Sequence, residues 1–259
     1  MDFERQNQLV VEQFSAQAEP FAHYAPHSNE EAMRLVREAA GIGPDDDVLD
    51  VACGPGLVAC DFAEHARLVT GVDLTPDMID QARRLQESKG LRNVDWRVCD
   101  VSRLPFDDAS FSLVFSRYAF HHLLDPAAVL AEMVRVCKPG GRIVVVDVFS
   151  RDPAQGAAYD RVEKLRDPSH TKALRLDEFD SLYRNAGLDV ATPGFYGLDV
   201  KLDELLATSS PVPGADDEVR RIFRQDLGVD RLGVNAREID GAIHFTFPIA
   251  VLVGLKPAA

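Results

Sequence analysis

From position 47 onward the sequence repeats one unit, an apolar run that reads as a strand followed by a helix with its own start and stop. "DVLDVA" leads into a first helix, and "RLVTGVD" into one opened by Thr75-Pro76 and ended near Gly90. "VDWRVCD" leads into a loop, "FSLVFSRY" into a helix opened by Asp125-Pro126, and "RIVVVDVF" completes the series. Such alternation predicts an α/β fold with a mostly parallel sheet covered by helices on both faces. "KPGG" at 138–141 reads as a helix stop and a turn into the last of these strands.

The flanks follow other rules. Residues 1–44 read as an N-terminal helical flap of two helices, the second opened by Ser28 with Glu31 three residues on and closed by Gly41. Beyond the cofactor-binding half (45–149), the substrate-side half (150–259) starts with a helix opened by Asp152-Pro153. "RLDEFDSLYRNAGL" then gives another, closed by Gly187 before an apolar strand at 188–192. Residues 201–240 are polar and helical in periodicity, and separate that strand from the final one, "FTFPIAVLVGLK". An insertion there predicts a helical cover over a substrate. No repeat or long linker divides the chain, so a single domain is expected.

Composition narrows the class. With 259 residues and 46% apolar content a full core can be buried, and no apolar run approaches the ~20 residues of a membrane span. A soluble, cytoplasmic protein with no membrane partner is expected. A net charge of -14 disfavours nucleic acid and anionic lipid surfaces. Cys53, Cys60, Cys99 and Cys137 show no C-x-x-C spacing and read as reduced structural thiols.

Gly54-Pro55-Gly56-Leu57-Val58-Ala59 fits a Gly-x-Gly-x-x-Ala phosphate turn, yet Asp50 stands at the end of the strand feeding it. A carboxylate there repels a pyrophosphate and attracts a ligand carrying an ammonium, a sulfonium and a neutral adenosine. S-adenosylmethionine (SAM) is such a ligand. Asp73, ending the second strand, can accept both ribose hydroxyls, with Thr75 taken as the cap of the following helix. Asp100, ending the third, can accept from the adenine amine while the Val101 N–H serves a ring nitrogen.

"VLDVACGPG", "GVDLTPDM", "CDVSRLPFDDASFSLVFS" and "VCKPGGRIVVVDV" together resemble the successive motifs of class I SAM-dependent methyltransferases, most of all the ubiquinone- and menaquinone-type enzymes. The resemblance implies a seven-stranded Rossmann-like sheet whose last strand runs antiparallel. It implies a cofactor site of Asp50, Ala52, Gly54, Gly56, Asp73, Leu74, Met78, Asp100, Val101 and Ser116, with Phe21 and Tyr24 closing over it. "SRYAFHHL" and "LRDPSH" resemble segments of a bacterial subgroup of these enzymes.

Past the fourth strand, Arg117, Tyr118, His121 and His122 form a polar cluster where the transferred methyl group would lie, and His170 can enter the same pocket. A histidine titrates near neutrality and could take a proton from an attacking hydroxyl or amine; each could equally pack on the cofactor or cap a carbonyl. Arg117 is the candidate to hold an acidic or carbonyl group of the acceptor. No metal is expected, because adjacent histidines on a helix point apart. The expectation is methyl transfer from SAM, yielding S-adenosylhomocysteine, to a small-molecule acceptor in biosynthesis or secondary metabolism, at oxygen or else nitrogen or carbon. A homodimer is allowed for. The competing readings are a non-catalytic SAM-binding protein and, more weakly, an NAD(P)-dependent oxidoreductase.

Overall fold

A computed structural model describes residues 2–22 and 29–258. Its frame is a sheet of nine strands: β1 (Asp47–Val51), β2 (Leu68–Asp73), β3 (Val94–Val98), β4 (Phe111–Arg117), β5 (Cys137–Val148), β6 (Asp189–Val190), β7 (Gly194–Lys201), β8 (Arg237–Ile239) and β9 (Ala242–Leu255). Seven of them lie side by side in the order β3-β2-β1-β4-β5-β9-β6. The first five pair in parallel, and β9 runs antiparallel to β5, with Arg142 opposite Leu255 and Val148 opposite Ile249.

The helices are α1 (Phe3–Ala22), α2 (Glu30–Ala40), α3 (Leu57–Phe62), α4 (Pro76–Lys89), α5 (Pro126–Val136), α6 (Pro153–Arg166), α7 (Leu176–Asn185), α8 (Leu202–Thr208) and α9 (Asp216–Asp226). Among the described residues no helix is long and apolar enough to cross a membrane. The starts at Pro76, Pro126 and Pro153 follow the Xaa-Pro pattern; Asp125 and Asp152 accept backbone N–H bonds as caps. Helix α2 departs from the expected capping box: Asn29 is its cap and accepts from the Ala32 N–H, while Ser28 lies outside the described residues.

Alternation along the central strands sends side chains to two cores. Val48, Phe115, Val144 and Val146 join one cluster, and Leu49, Val51, Val114 and Val145 the other. Both are closed by helices, as near-continuous apolar strands require.

Strand β7 was not foreseen. "GFYGLDVK" carries two glycines, which weaken its strand signal, and its inward-outward alternation starts only at Tyr196, yet it pairs with His244–Val251 over its full length. The polar segment therefore begins where β7 ends, and contains α8, α9 and β8. β8 and β9 form a hairpin through Asp240 (φ 50°) and Gly241 (φ 77°), a two-residue left-handed turn with a readable Asp-Gly signal.

Gly56 has φ 79°, and a Cβ there would stand 2.6 Å from the Trp96 ring and 2.8 Å from the Ala82 Cβ. Gly54 has φ 53° and open space around it. Either glycine changed to alanine should lose ~1–2 kcal/mol to backbone strain, and Gly56→Ala a further ~1–3 kcal/mol to overpacking. Thermal denaturation of the two variants checks this; equal losses would remove the packing role of Gly56.

Candidate active site

The carboxyl ends of β1, β2 and β4 converge on a cavity of about 150 Å³. Between β1 and α3 the chain turns through three left-handed residues, Ala52 (φ 56°), Gly54 (φ 53°) and Gly56 (φ 79°). Asp73 fixes this turn. One carboxylate oxygen accepts the Gly54 N–H at 2.9 Å and the other the Thr75 N–H at 2.8 Å. The Thr75 side chain does not cap α4, so Asp73 is not left free by Thr75 as expected; its carboxylate ties the glycine turn to the helix start.

Asp50 is 2% exposed and lines the cavity, and its Oδ2 has no hydrogen-bond partner. Burial, opposed by the Arg117 charge and reinforced by Asp73, pushes its carboxyl up to about 7. Asp100 lies at the cavity's other end, where its oxygens accept the Ser102 N–H at 2.8 Å and the Asn7 amide at 2.7 Å. Its partial burial is outweighed by these bonds, so its pKa falls. Ala52, Leu74, Met78 and Val101 complete that wall.

A second cavity, about 80 Å³, lies beside the first, and Phe14, Tyr118 and His122 line both. Tyr118, with φ 57°, is a bulky residue in left-handed backbone at the end of β4, and its hydroxyl meets that of Tyr196 at 2.7 Å. The 3₁₀ turn Phe120–His122 follows. It brings the rings of His121 and His122 within 4.1 Å, so the two side chains do not point apart as on an α-helix. Among the described residues, no group of three or more His, Cys, Asp or Glu is placed to hold a metal ion.

His121 lines the second cavity, and its Nδ1 lies 2.6 Å from the fully buried Asp147. Burial alone would lower the His121 pKa; the charge and hydrogen bond of Asp147 override it and hold the ring above the usual imidazole range. His122 is held well below that range, by burial first and by the charge of His121 second. Its Nδ1 faces the Ser169 hydroxyl at 3.0 Å.

Several expected site residues stand elsewhere. Gly56 lines neither cavity; its missing side chain makes room for Trp96 and Ala82 instead of for a ligand. Ser116 is buried within β4, outside both cavities. His170 is buried against Asp160, 2.8 Å from its Nε2, and also lines neither. Arg117 lines the first cavity, acting on Asp50 and donating to the Met33 sulfur at 3.1 Å, and not the second. Tyr24 and the side chain of Phe21 lie outside the described residues.

Other residues enter unannounced. α1 supplies Asn7 and Phe14 to the first cavity and Phe14 and Gln17 to the second. The signal was there in the glutamines Gln6, Gln13 and Gln17, spaced on one face and buried. Asp147, a carboxylate inside the valine run of β5, is a fourth acid near a strand end.

Fold and cavities together define a SAM-dependent methyltransferase. The family model described as "Methyltransferase domain" matches residues 49–145, and the chain belongs to the class I SAM-dependent methyltransferases. It is 32% identical over 171 residues to "Uncharacterized methyltransferase YcgJ" of Bacillus subtilis, covering 66% of this chain and 68% of that one. The crystal structure of the YcgJ protein superposes with a TM-score of 0.82 at 24% identity, covering 89% of this chain and all of that one. "Uncharacterized protein YafE" of Escherichia coli is 37% identical over 76% of this chain and 94% of its own. The ubiquinone/menaquinone biosynthesis C-methyltransferase UbiE of Desulfotalea psychrophila is 37% identical over 50% of this chain and 52% of its own. The cofactor is SAM, and the Asp50 carboxylate, one oxygen of which has no partner, lines the same cavity as Asp73, Asp100 and Arg117 and suits the sulfonium and ammonium of its methionyl end.

Asp50 also carries a stability signature. Between about pH 4 and 7 the folded carboxyl keeps a proton that the unfolded chain releases, so the cofactor-free protein loses stability as pH rises through that window. Asp50→Asn should flatten this slope and melt higher than wild type at pH 8. Melting curves from pH 4 to 8 read it directly, and parallel curves would remove the raised carboxyl.

Proposed function

We propose that this methyltransferase methylates a small protic molecule, foremost at a hydroxyl oxygen, with nitrogen and carbon nucleophiles as the other candidates. The observation that carries this reading is the junction: two cavities share Phe14, Tyr118 and His122 in their linings. The first fits the cofactor and the second the acceptor. A space of about 80 Å³, enclosed by α1, α6 and α8 and lined by Leu198, Leu205 and Phe247, suits a compact, largely apolar molecule. The net charge of -14 speaks against nucleic acid. A relative named for ubiquinone/menaquinone biosynthesis fits the same class of acceptor.

SAM supplies a sulfonium-bound methyl group open to in-line displacement. Asp50 would pair with its ammonium, and Arg117, in the same cavity, with its carboxylate, which reassigns Arg117 from the acceptor to the cofactor. Asp73 and Asp100 would take the ribose and the adenine, Asp100 by exchanging the Asn7 amide for the base. Alignment of the two reactants is the main contribution, worth up to ~7–11 kcal/mol in favourable cases.

His121 is the candidate base. Asp147 holds its Nδ1, so the Nε2 lone pair is left for the cavity, and the same carboxylate stabilises the imidazolium formed when the acceptor loses its proton. His122 is the weaker candidate because its ring resists a charge. The test is SAM turnover against a panel of phenols, aliphatic alcohols, amines and carbon acids, read as S-adenosylhomocysteine formed. Turnover with proteins or RNA and with no small molecule would overturn the reading.

With an acceptor in hand, His121→Ala should lower kcat by ~10²–10⁴-fold with SAM affinity nearly unchanged. The base acts when neutral, so the rate should rise with pH through a midpoint on the alkaline side of the ordinary histidine value. Asp147→Asn should move that midpoint towards acid. A pH profile that is flat in wild type, or unmoved by Asp147→Asn, would remove His121 from the chemistry.

A further inference from the structure

His122 stands at the junction of the cavities without being the favoured base, and a chain of contacts runs away from it into the protein. Its Nδ1 meets the Ser169 Oγ at 3.0 Å, and that hydroxyl donates to Asp167 Oδ1 at 2.6 Å. The same Asp167 oxygen also accepts the Ser169 backbone N–H at 2.9 Å. Asp167 and Ser169 are both buried. From α1, the Gln6 amide donates to the carbonyls of His122 and Ser169, at 2.8 and 2.6 Å, and holds the two segments together.

A serine hydroxyl has one proton. Given to Asp167, it leaves Oγ only an acceptor towards the ring, so Nδ1 must carry the hydrogen and Nε2 must carry the lone pair. Nε2 has no partner among the described residues, and the ring borders both cavities. We propose that Ser169 and Asp167 are positioning residues that lock His122 as a neutral imidazole with its Nε2 lone pair presented at the junction, so that the site selects an acceptor with an O–H or N–H donor beside the reacting atom. An acceptor atom facing a cavity becomes costly once a ligand covers it without supplying a donor, so such a site rejects ligands lacking the matching donor. This rests on the reading of the second cavity as the acceptor site.

Charges on every side keep the ring neutral or fail to charge it. Burial first, then His121, in the same turn, and His170, whose ring is 6.4 Å away, oppose a positive charge; Asp167 favours one and is outweighed. α1 presents Phe14 edge-on at 5.1 Å and the amide of Gln6, neither charged.

The tautomer can be read without knowing the acceptor. In full-length protein labelled with ¹⁵N and ¹³C, with His122 assigned through its side-chain-to-backbone correlations, ring nitrogen shifts distinguish the three protonation forms. Wild type should show neutral His122 protonated on Nδ1 throughout pH 5–8, and Ser169→Ala should move it to a mixture or to the Nε2-protonated form with the fold retained. Nε2–H in wild type, a charged ring, or an unchanged tautomer in a folded Ser169→Ala would overturn the proposal. With an acceptor found by the panel, Ser169→Ala should raise its KM about tenfold with kcat within about threefold, the pattern of lost binding common to ground and transition states. A fall in kcat at constant KM would make His122 a base and contradict the positioning role. Should no small molecule be methylated, the acceptor reading falls and the tautomer still decides this proposal.

Discussion

Burying the Asp50 carboxyl at the end of the central strand costs free energy that the folded chain recovers only in part. One oxygen has no partner, Asp73 adds repulsion, and Arg117 offsets some of both. The rest of the cavity is arranged around that deficit. The left-handed turn at Ala52, Gly54 and Gly56 follows that strand, and Asp73 holds the turn through Gly54 and Thr75. A cation entering the cavity completes the electrostatics, which is why a sulfonium- and ammonium-bearing nucleoside fits where a pyrophosphate does not.

The second half of the site follows a different rule, that two adjacent histidines cannot share one charge state at close range. Rings 4.1 Å apart disfavour double protonation, and the protein resolves the conflict by giving each histidine its own buried acid. Asp147 bonds His121 directly and draws the charge there; Asp167 reaches His122 only through a hydroxyl. In the proposed reading one ring serves as the base and its neighbour as a neutral hydrogen-bond acceptor. Helix α1 encloses both, with Asn7 on Asp100, Gln6 on the His122 and Ser169 carbonyls, and Phe14 between the cavities.

The parallel core and the cofactor turn were legible because they depend on local signals: apolar runs, Xaa-Pro helix starts, and an acid at each of three strand ends. Asp50, Asp73 and Asp100 line one cavity as their spacing suggested. What the sequence hid depends on long-range packing. Gly56 reads as a cofactor glycine, and its missing side chain makes room for Trp96 and Ala82, on other elements. Arg117 ends the right strand, and only the cavity shape shows that it lines the first cavity with Asp50 and not the second. The Asp147 and Asp167 partners lie 26 and 45 residues from their histidines, beyond the reach of any periodicity. β7 escaped because its pairing with β9, not its composition, makes it a strand.

Calorimetric titration of SAM at pH 7 in buffers of different ionisation enthalpy tests the Asp50 account most directly. A carboxyl poised near 7 is about half protonated there and must ionise to pair with a bound cation. Wild type should therefore release about half a proton per SAM bound, relative to an Asp50→Asn variant that binds more weakly and releases none from this position. Equal proton release and equal Kd in the two proteins would contradict the claim that the buried carboxylate and the cationic cofactor complete one another.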